Sequence, residues 1–260
     1  MVTAMFWRKQ RSAIDALHPL HQSLIWHKGL SGSLRPADWA QFVASLAGHS
    51  AAVRRRKWSL PGRTATVLVP LIRVLCEDMG PGGVLSINAD LRGPTVQGKV
   101  GPARQVPVPP DRMRQGRGFV KTAGITSISE SWAYDPWLWI RAELRDKSVL
   151  EVAAADRVRN RRISKVNARG KHKTKHKTKV TSVLTVTRRL PAGAVTHQPA
   201  TRPPRWVRVK MRPGHRTVIT ARGKLRGARE DAMAEAILML SAETFRWTRP
   251  GATQPMGRAT

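Results

Sequence analysis

Residues 170–180 read GKHKTKHKTKV, the tetrapeptide KHKT written twice with a lysine at every odd position from Lys171 to Lys179. On a helix, residues two apart are separated by about 200° around the axis, so these lysines would scatter on all sides. On a strand they all point one way. Carried downstream, the same parity puts His172, Thr174, His176, Thr178, Val180, Ser182, Leu184 and Val186 on even positions, and Thr181, Val183, Thr185 and Thr187 after the lysines on odd ones. The stretch predicts a strand whose even face turns inward and whose odd face meets solvent.

The segment upstream carries matching parity. Leu150, Val152, Ala154 and Val158 are even, while Arg157, Arg159, Arg161 and Lys165 are odd, so the two segments read as a hairpin turning at NARGK. A three-residue loop, Ala168-Arg169-Gly170, with glycine in the left-handed position is a common connection of this kind. It opposes Asn167 to Lys171, Val158 to Val180, Arg161 to Lys177 and Arg159 to Lys179. A two- or four-residue loop would pair odd with even and mix charged with apolar residues on both faces.

The product is a basic ribbon. Residues 157–179 contain Arg157, Arg159, Arg161, Arg162, Lys165, Arg169, Lys171, Lys173, Lys175, Lys177 and Lys179, with no Asp or Glu. Like charges opposed across strands are unfavourable, so stability alone does not account for the pattern. A rise of about 3.3 Å per residue spaces alternate lysines roughly 6.6 Å apart, close to the phosphate-to-phosphate distance along one nucleic-acid strand. Lysine, a point charge on a flexible stem, suits diffuse phosphate contact better than base reading. All of these cations except Arg162 are taken as candidate contacts. A solvated tip of low complexity is the competing reading.

The whole chain is basic, with 47 Lys+Arg against 16 Asp+Glu and a formal charge of +31 over 260 residues. Such an excess favours a polyanionic partner. A G+C-rich coding bias would supply scattered arginines, but lysine codons run against it, which singles out the KHKT block. The 41% hydrophobic content argues for a folded core. The single cysteine, Cys76, excludes an intrachain disulfide and reads as an inert thiol in an apolar run. No apolar run has the length of a membrane span, and the start lacks the apolar stretch of a secretory signal, so the expected compartment is the cytoplasm.

Around the ribbon the expected fold is α+β: N-terminal helices, a mostly antiparallel sheet with the basic hairpin (149–187) protruding, and a C-terminal helix packed on the sheet. The expected divisions are a helical region over 1–58, a β-rich region over 59–225, and a helix and tail over 226–260. Within the first, a helix starting near Ser33 or Arg35 would present Trp39, Phe42, Val43 and Leu46 on one face and run to Lys57. TATVLVPLIRVL, GVLSINADL, WLWIRAEL, SVLEVAA, VTSVLTV, WVRVKM and TVITA read as strands. Residues 93–118 read as a long irregular connection. The last helix, over about 228–246, would bury Met233, Ile237 and Leu240.

Catalytic constellations are weak. His18, His21 and His27 lack a completing ligand and read as interfacial helix histidines. His172 and His176 sit among lysines that would repel a cation. MGPGGV lacks the lysine of a phosphate-binding loop and reads as a turn. Glu77 with Asp78, and Asp135 with Glu143 and Asp146, are the acidic groupings a metal-dependent nuclease would use, but read as salt-bridge partners of arginine. Trp132, Tyr134, Trp137 and Trp139 in SWAYDPWLWI could stack bases, with core or interface packing the preferred reading, Trp137 and Trp139 on one face, and Trp132 and Tyr134 sharing one before Pro136 breaks the alternation.

The sequence thus predicts a non-enzymatic protein without cofactor or metal, gripping a DNA or RNA backbone largely without sequence specificity. The alternative is a structural or assembly subunit, of a phage-like particle or a membrane-surface complex, whose ribbon meets acidic protein or anionic lipid.

Overall fold

The computed structural model describes residues 8–53, 55–112, 116–117, 120–121, 124–167, 169–227 and 229–248. The chain opens with α1 (Arg8–Asp15), α2 (Pro19–His27), β1 (Gly29–Leu34), α3 (Pro36–Ala47) and the single turn α4 (His49–Ala52). Next come α5 (Val69–Asp78), β2 (Leu85–Asp90) and three short strands, β3 (Arg104–Val106), β4 (Gly116–Arg117) and β5 (Val120–Lys121). Long strands β6 (Gly124–Glu143), β7 (Val149–Val166) and β8 (His172–Arg189) follow, then β9 (Val207–Arg212), β10 (Val218–Arg226) and α6 (Asp231–Phe245).

The fold is α+β: N-terminal helices, an eight-stranded antiparallel sheet and a C-terminal helix packed on it. The sheet order is β1-β2-β6-β7-β8-β10-β9, with β3 on a separate stretch of β6; β4 and β5 pair with each other. β6 and β7 run together from Gly124↔Val166 to Glu143↔Val149. Their outer neighbours are shorter: β2 joins β6 over 138–142, and β10 joins β8 over 181–189.

One face of the sheet is covered. Leu138, Ile140, Leu150, Val152, Ala154, Leu184, Val186 and Ala221 form a single buried cluster with Trp39 and Phe42 of α3, Leu71, Ile72 and Leu75 of α5, and Met233, Ile237 and Leu240 of α6. The expected faces of α3 and α6 are thus the buried ones. Trp39 ties its helix to the sheet, its Nε1 donating to the Leu85 carbonyl at 2.9 Å.

Three expectations are corrected. TATVLVPLIRVL is helical, its residues 64–68 forming a π-helical turn that leads into α5. The buried residues Val67, Leu68, Leu71, Ile72 and Leu75 recur at helical spacing, and the β-branched content that suggested a strand is overridden by that period. Pro70 lies in the first turn of α5, where its missing N–H costs little. The helix beginning at Pro36 ends at Ala47, ten residues short of Lys57, with Gly48 following. GLSGSL, inside the region expected to be helical, is the edge strand β1; its small polar residues carry almost no alternation to announce it. No helix among the described residues is long and apolar enough to cross a membrane.

Candidate functional site

β7 and β8 pair in the register read from the sequence. From Val149↔Arg189 to Val166↔His172 every pair of numbers sums to 338, so Val158 faces Val180, Arg159 faces Lys179, Arg161 faces Lys177 and Lys165 faces Lys173. Gly170 has φ +79°, the left-handed conformation the turn requires of it. Asn167 braces the turn: its N–H donates to the Lys171 carbonyl at 3.0 Å, and its Oδ1 accepts from the Lys171 N–H at 2.7 Å. Ala168, the first residue of the expected loop, lies outside the described residues.

All five lysines are exposed, as are Arg157, Arg162, Lys165 and Arg169, while Arg159 and Arg161 are half-buried. The even positions depart from expectation. His172, Thr174, His176 and Thr178 are exposed as well, so this part of β8 is open on both faces. The inward face becomes covered only from Ser182 onward, alongside β10, where the helices lie. Ile163, at an odd position, is buried opposite Ile128 of β6. The charge is also less bare than the window 157–179 implied, because Glu130 of β6 ion-pairs with its direct partner Arg161.

Opposed residues of an antiparallel pair project to the same side, so the register extends the lysine face across the sheet. Lys179 shares it with Arg159 and Trp132. Thr181 shares it with Arg157, Tyr134 and Arg226. Thr185 shares it with Ala153, Trp139, Arg222 and Arg208. Lys224 and Lys210 fall on the same face, and Arg208, Lys210, Arg222, Lys224 and Arg226 are all exposed. These strand cations escaped the sequence reading, although VRVKMR and RGKLR show the same period-two alternation of charge as KHKT. Glu151, on this open face, is engaged by Arg189 at 3.0 Å and by Arg141 at 3.6 Å.

The aromatic residues of β6 divide between the faces, Trp132 and Tyr134 together as expected and Trp139 with them instead of with Trp137. Trp137 is fully buried in the core, with the Arg63 guanidinium 4.3 Å from its ring centroid. Trp132, Tyr134 and Trp139 are 54, 54 and 42% exposed, so core packing fails for these three. The expected shared face of Trp137 and Trp139 is also wrong, and the cause is a bulge. The register shifts between Pro136 and Leu138, placing Trp137 and Leu138 both on the covered face and returning Trp139 to the open one. Pro136 falls where β6 changes its outer partner, from residues 99–101 alongside 132–134 to β2 alongside 138–142, so its missing N–H interrupts no ladder.

Between Tyr134 and Trp139 the open face sinks into a shallow cleft of about 340 Å³, with Pro136, Ala153, Ala155, Val183 and Thr185 in its lining. A second depression lies beside Trp132, among Arg157, Arg159, Lys179, Lys224 and Arg226. The Arg159 guanidinium stands 5.7 Å from the Trp132 ring centroid.

The acidic groupings come apart only in part. Asp135 is buried and ion-paired with Lys99 at 2.6 Å, while Asp78, exposed with Glu77 at the end of α5, lines one depression with Asp146, which pairs with Arg188. No group of three His, Cys, Asp or Glu among the described residues could hold a metal ion. His21 is buried between helices: its Nδ1 lies 2.9 Å from Ser45 Oγ, and its Nε2 lies 2.9 Å from His49 Nδ1. Burial, and then the neighbouring His49 and His18, lower its pKa from 6.5 to about 4. His18 accepts from the Leu20 N–H and so caps α2. These are packing and capping roles. Burial pushes the half-buried Cys76 thiol up to about 11, well away from the reactive thiolate range.

Compared with known proteins, the chain matches no family model, no curated protein and no solved structure.

Proposed function

We propose that the protein binds nucleic acid by its phosphate backbone, largely independent of sequence, through a basic β-hairpin that protrudes at the far end of β7 and β8. The observation that carries this reading is the single-sided lysine row. Lys171, Lys173, Lys175, Lys177 and Lys179 are exposed at strand spacing, and Arg159 and Lys165 oppose Lys179 and Lys173 in register with no carboxylate between them. Such opposition costs a fraction of a kcal/mol per pair, and an arriving chain of phosphates turns it into attraction. The exposure of both faces of residues 172–179 supports a projecting arm, accessible from two sides. Lysine ammonium groups neutralise phosphates without reading bases, so the contact carries affinity rather than specificity. The same reading assigns the arm binding and no bond-making chemistry.

The test is a comparison of the native chain with a variant in which the five lysines are replaced by glutamine. Binding to labelled oligonucleotides of unrelated sequence should weaken alike for all of them. Unchanged affinity would reduce the KHKT repeat to a solvated tip. Pelleting with anionic liposomes in the absence of nucleic-acid binding would favour a lipid-facing assembly subunit instead. Strand cleavage abolished by EDTA and by replacing Glu77 or Asp146 would make the protein a nuclease.

A further inference from the structure

We infer that the open face of the sheet is a binding surface for single-stranded nucleic acid, with unpaired bases stacked on Trp132, Tyr134 and Trp139 and the phosphates held by the flanking cations. This rests on the backbone-binding reading above and adds to it the strandedness of the ligand and the path it takes.

The three rings are large apolar groups left in water on a face that the helices do not cover, and each begins a row of cations. Arg159 and then Lys179 follow Trp132; Arg157 and then Arg226 follow Tyr134; Arg222 and Arg208 lie further along the row of Trp139. A strand spacing of about 4.8 Å puts the first cation of the first two rows next to its ring. The ligand that satisfies such rows has flat apolar faces joined at regular intervals by anions, which describes a single strand with its bases splayed outward. A duplex presents its phosphates but keeps its base faces stacked inside, so it could use the cations and not the rings.

The cleft between Tyr134 and Trp139 strengthens the choice. Its walls are aromatic, and its lining includes Ala153 and Ala155, the small residues that leave room for an inserted plane. Trp132 and Tyr134, two residues apart on one strand, stand roughly 6.6 Å from each other, so neighbouring bases can occupy neighbouring rings. An acidic protein would complement the cations but has no repeated planar groups to fill the aromatic positions. A second copy of the chain would bring these cations against their own kind.

The test uses the intact protein, a short mixed-sequence single-stranded oligonucleotide and its duplex, with a Trp132→Ala/Tyr134→Ala/Trp139→Ala variant and a second variant carrying Phe at the same positions. The expected result is a loss of single-strand affinity of roughly tenfold or more per ring removed, duplex affinity changed by less than about threefold, and near-native single-strand binding by the Phe variant. Tryptophan fluorescence of the native protein should be quenched by the single strand and little by the duplex. Equal affinity of the alanine variant and the native chain for the single strand would overturn the inference while leaving backbone binding intact. So would a dimer that dissociates on alanine substitution without change in nucleic-acid affinity. No binding of the native chain to either form would overturn both readings together.

Discussion

Asp135 of β6 and Asp156 of β7 are directly opposed across the strand pair, and both are buried, yet they share no cation. Lys99 Nζ donates to Asp135 Oδ1 at 2.6 Å, and Arg63 Nη2 donates to Asp156 Oδ2 at 2.6 Å. Ser182 Oγ completes the second site by donating to Asp156 Oδ1 at 2.6 Å. The two ion pairs tie Lys99, within the connection from β2 to β3, and Arg63, at the start of the helical turn before α5, to the middle of the sheet, next to the bulge that aims Trp137 inward.

Replacing Arg63 by alanine leaves the buried Asp156 carboxylate with Ser182 alone and strips the guanidinium from the Trp137 ring. Breaking a buried pair from one side typically costs about 3–5 kcal/mol, so urea unfolding should show a loss of that order. Arg63→Lys should recover only part of it, lacking the planar fork that meets both the carboxylate and the ring. A midpoint unmoved by Arg63→Ala would mean that Asp156 reaches water.

Exchanging the five ribbon lysines for glutamine should leave the melting temperature unchanged or slightly raised, since the side chains are exposed and their mutual repulsion is removed. If all five meet phosphates of duplex DNA, the slope of log K against log salt should fall in magnitude by about 4.5, at roughly 0.9 per contact. A smaller fall counts the lysines that do touch phosphate.

Stability should decline as the pH falls from about 6.5 toward 4. Buried His21 takes up a proton near 4 in the folded chain but near 6.5 when unfolded, so between these values the unfolded state holds more protons. The contribution is complete above the upper value, lost through the window, and on the order of 3 kcal/mol at 1.36 kcal/mol per unit. His49, lowered by burial and by Lys28, acts in the same direction. Asp90, held well below the usual carboxylate range chiefly by its hydrogen bond from Arg92, loses its contribution only at lower pH. Urea midpoints measured across the window should therefore flatten in His21→Gln, and a slope unchanged in that variant would assign the acid sensitivity elsewhere.

Gly223 of β10 lies under Trp206: a Cβ there would sit 2.4 Å from the ring's Cζ3. Gly223→Ala should destabilise by about 1–3 kcal/mol, the usual cost of overpacking. Combining it with Trp206→Leu should return part of that loss in thermal unfolding. Full tolerance of the single substitution would mean that the ring swings aside freely.

The hairpin was legible in the sequence because a strand has period two and charge cannot be buried cheaply. Lys171 to Lys179 could share a side only on a strand, and the apolar residues of both segments then admitted one register, which Val158 and Val180 display. The faces of α3 and α6 followed in the same way from the helical period of Trp39, Phe42, Met233 and Ile237. These are local facts, written in the spacing of residues along the chain.

The placement of the aromatic rings was not local. The extra residue of β6, Trp137 between paired Pro136 and Leu138, reverses the parity of the strand where β6 exchanges residues 99–101 for β2 as its outer neighbour. TATVLVPLIRVL likewise is a helix whose apolar stripe, Leu68, Leu71, Ile72 and Leu75, is buried in the core on the covered face of the sheet, and that burial outweighs the strand propensity of valine and isoleucine. The sequence by itself determined the two strands of the ribbon, their register and the solvent-facing row of lysines. Only the tertiary structure decided that Trp132, Tyr134 and Trp139 join those cations on one open face, because a face is made of residues from many strands, and their alignment is set by pairing partners far apart in the chain.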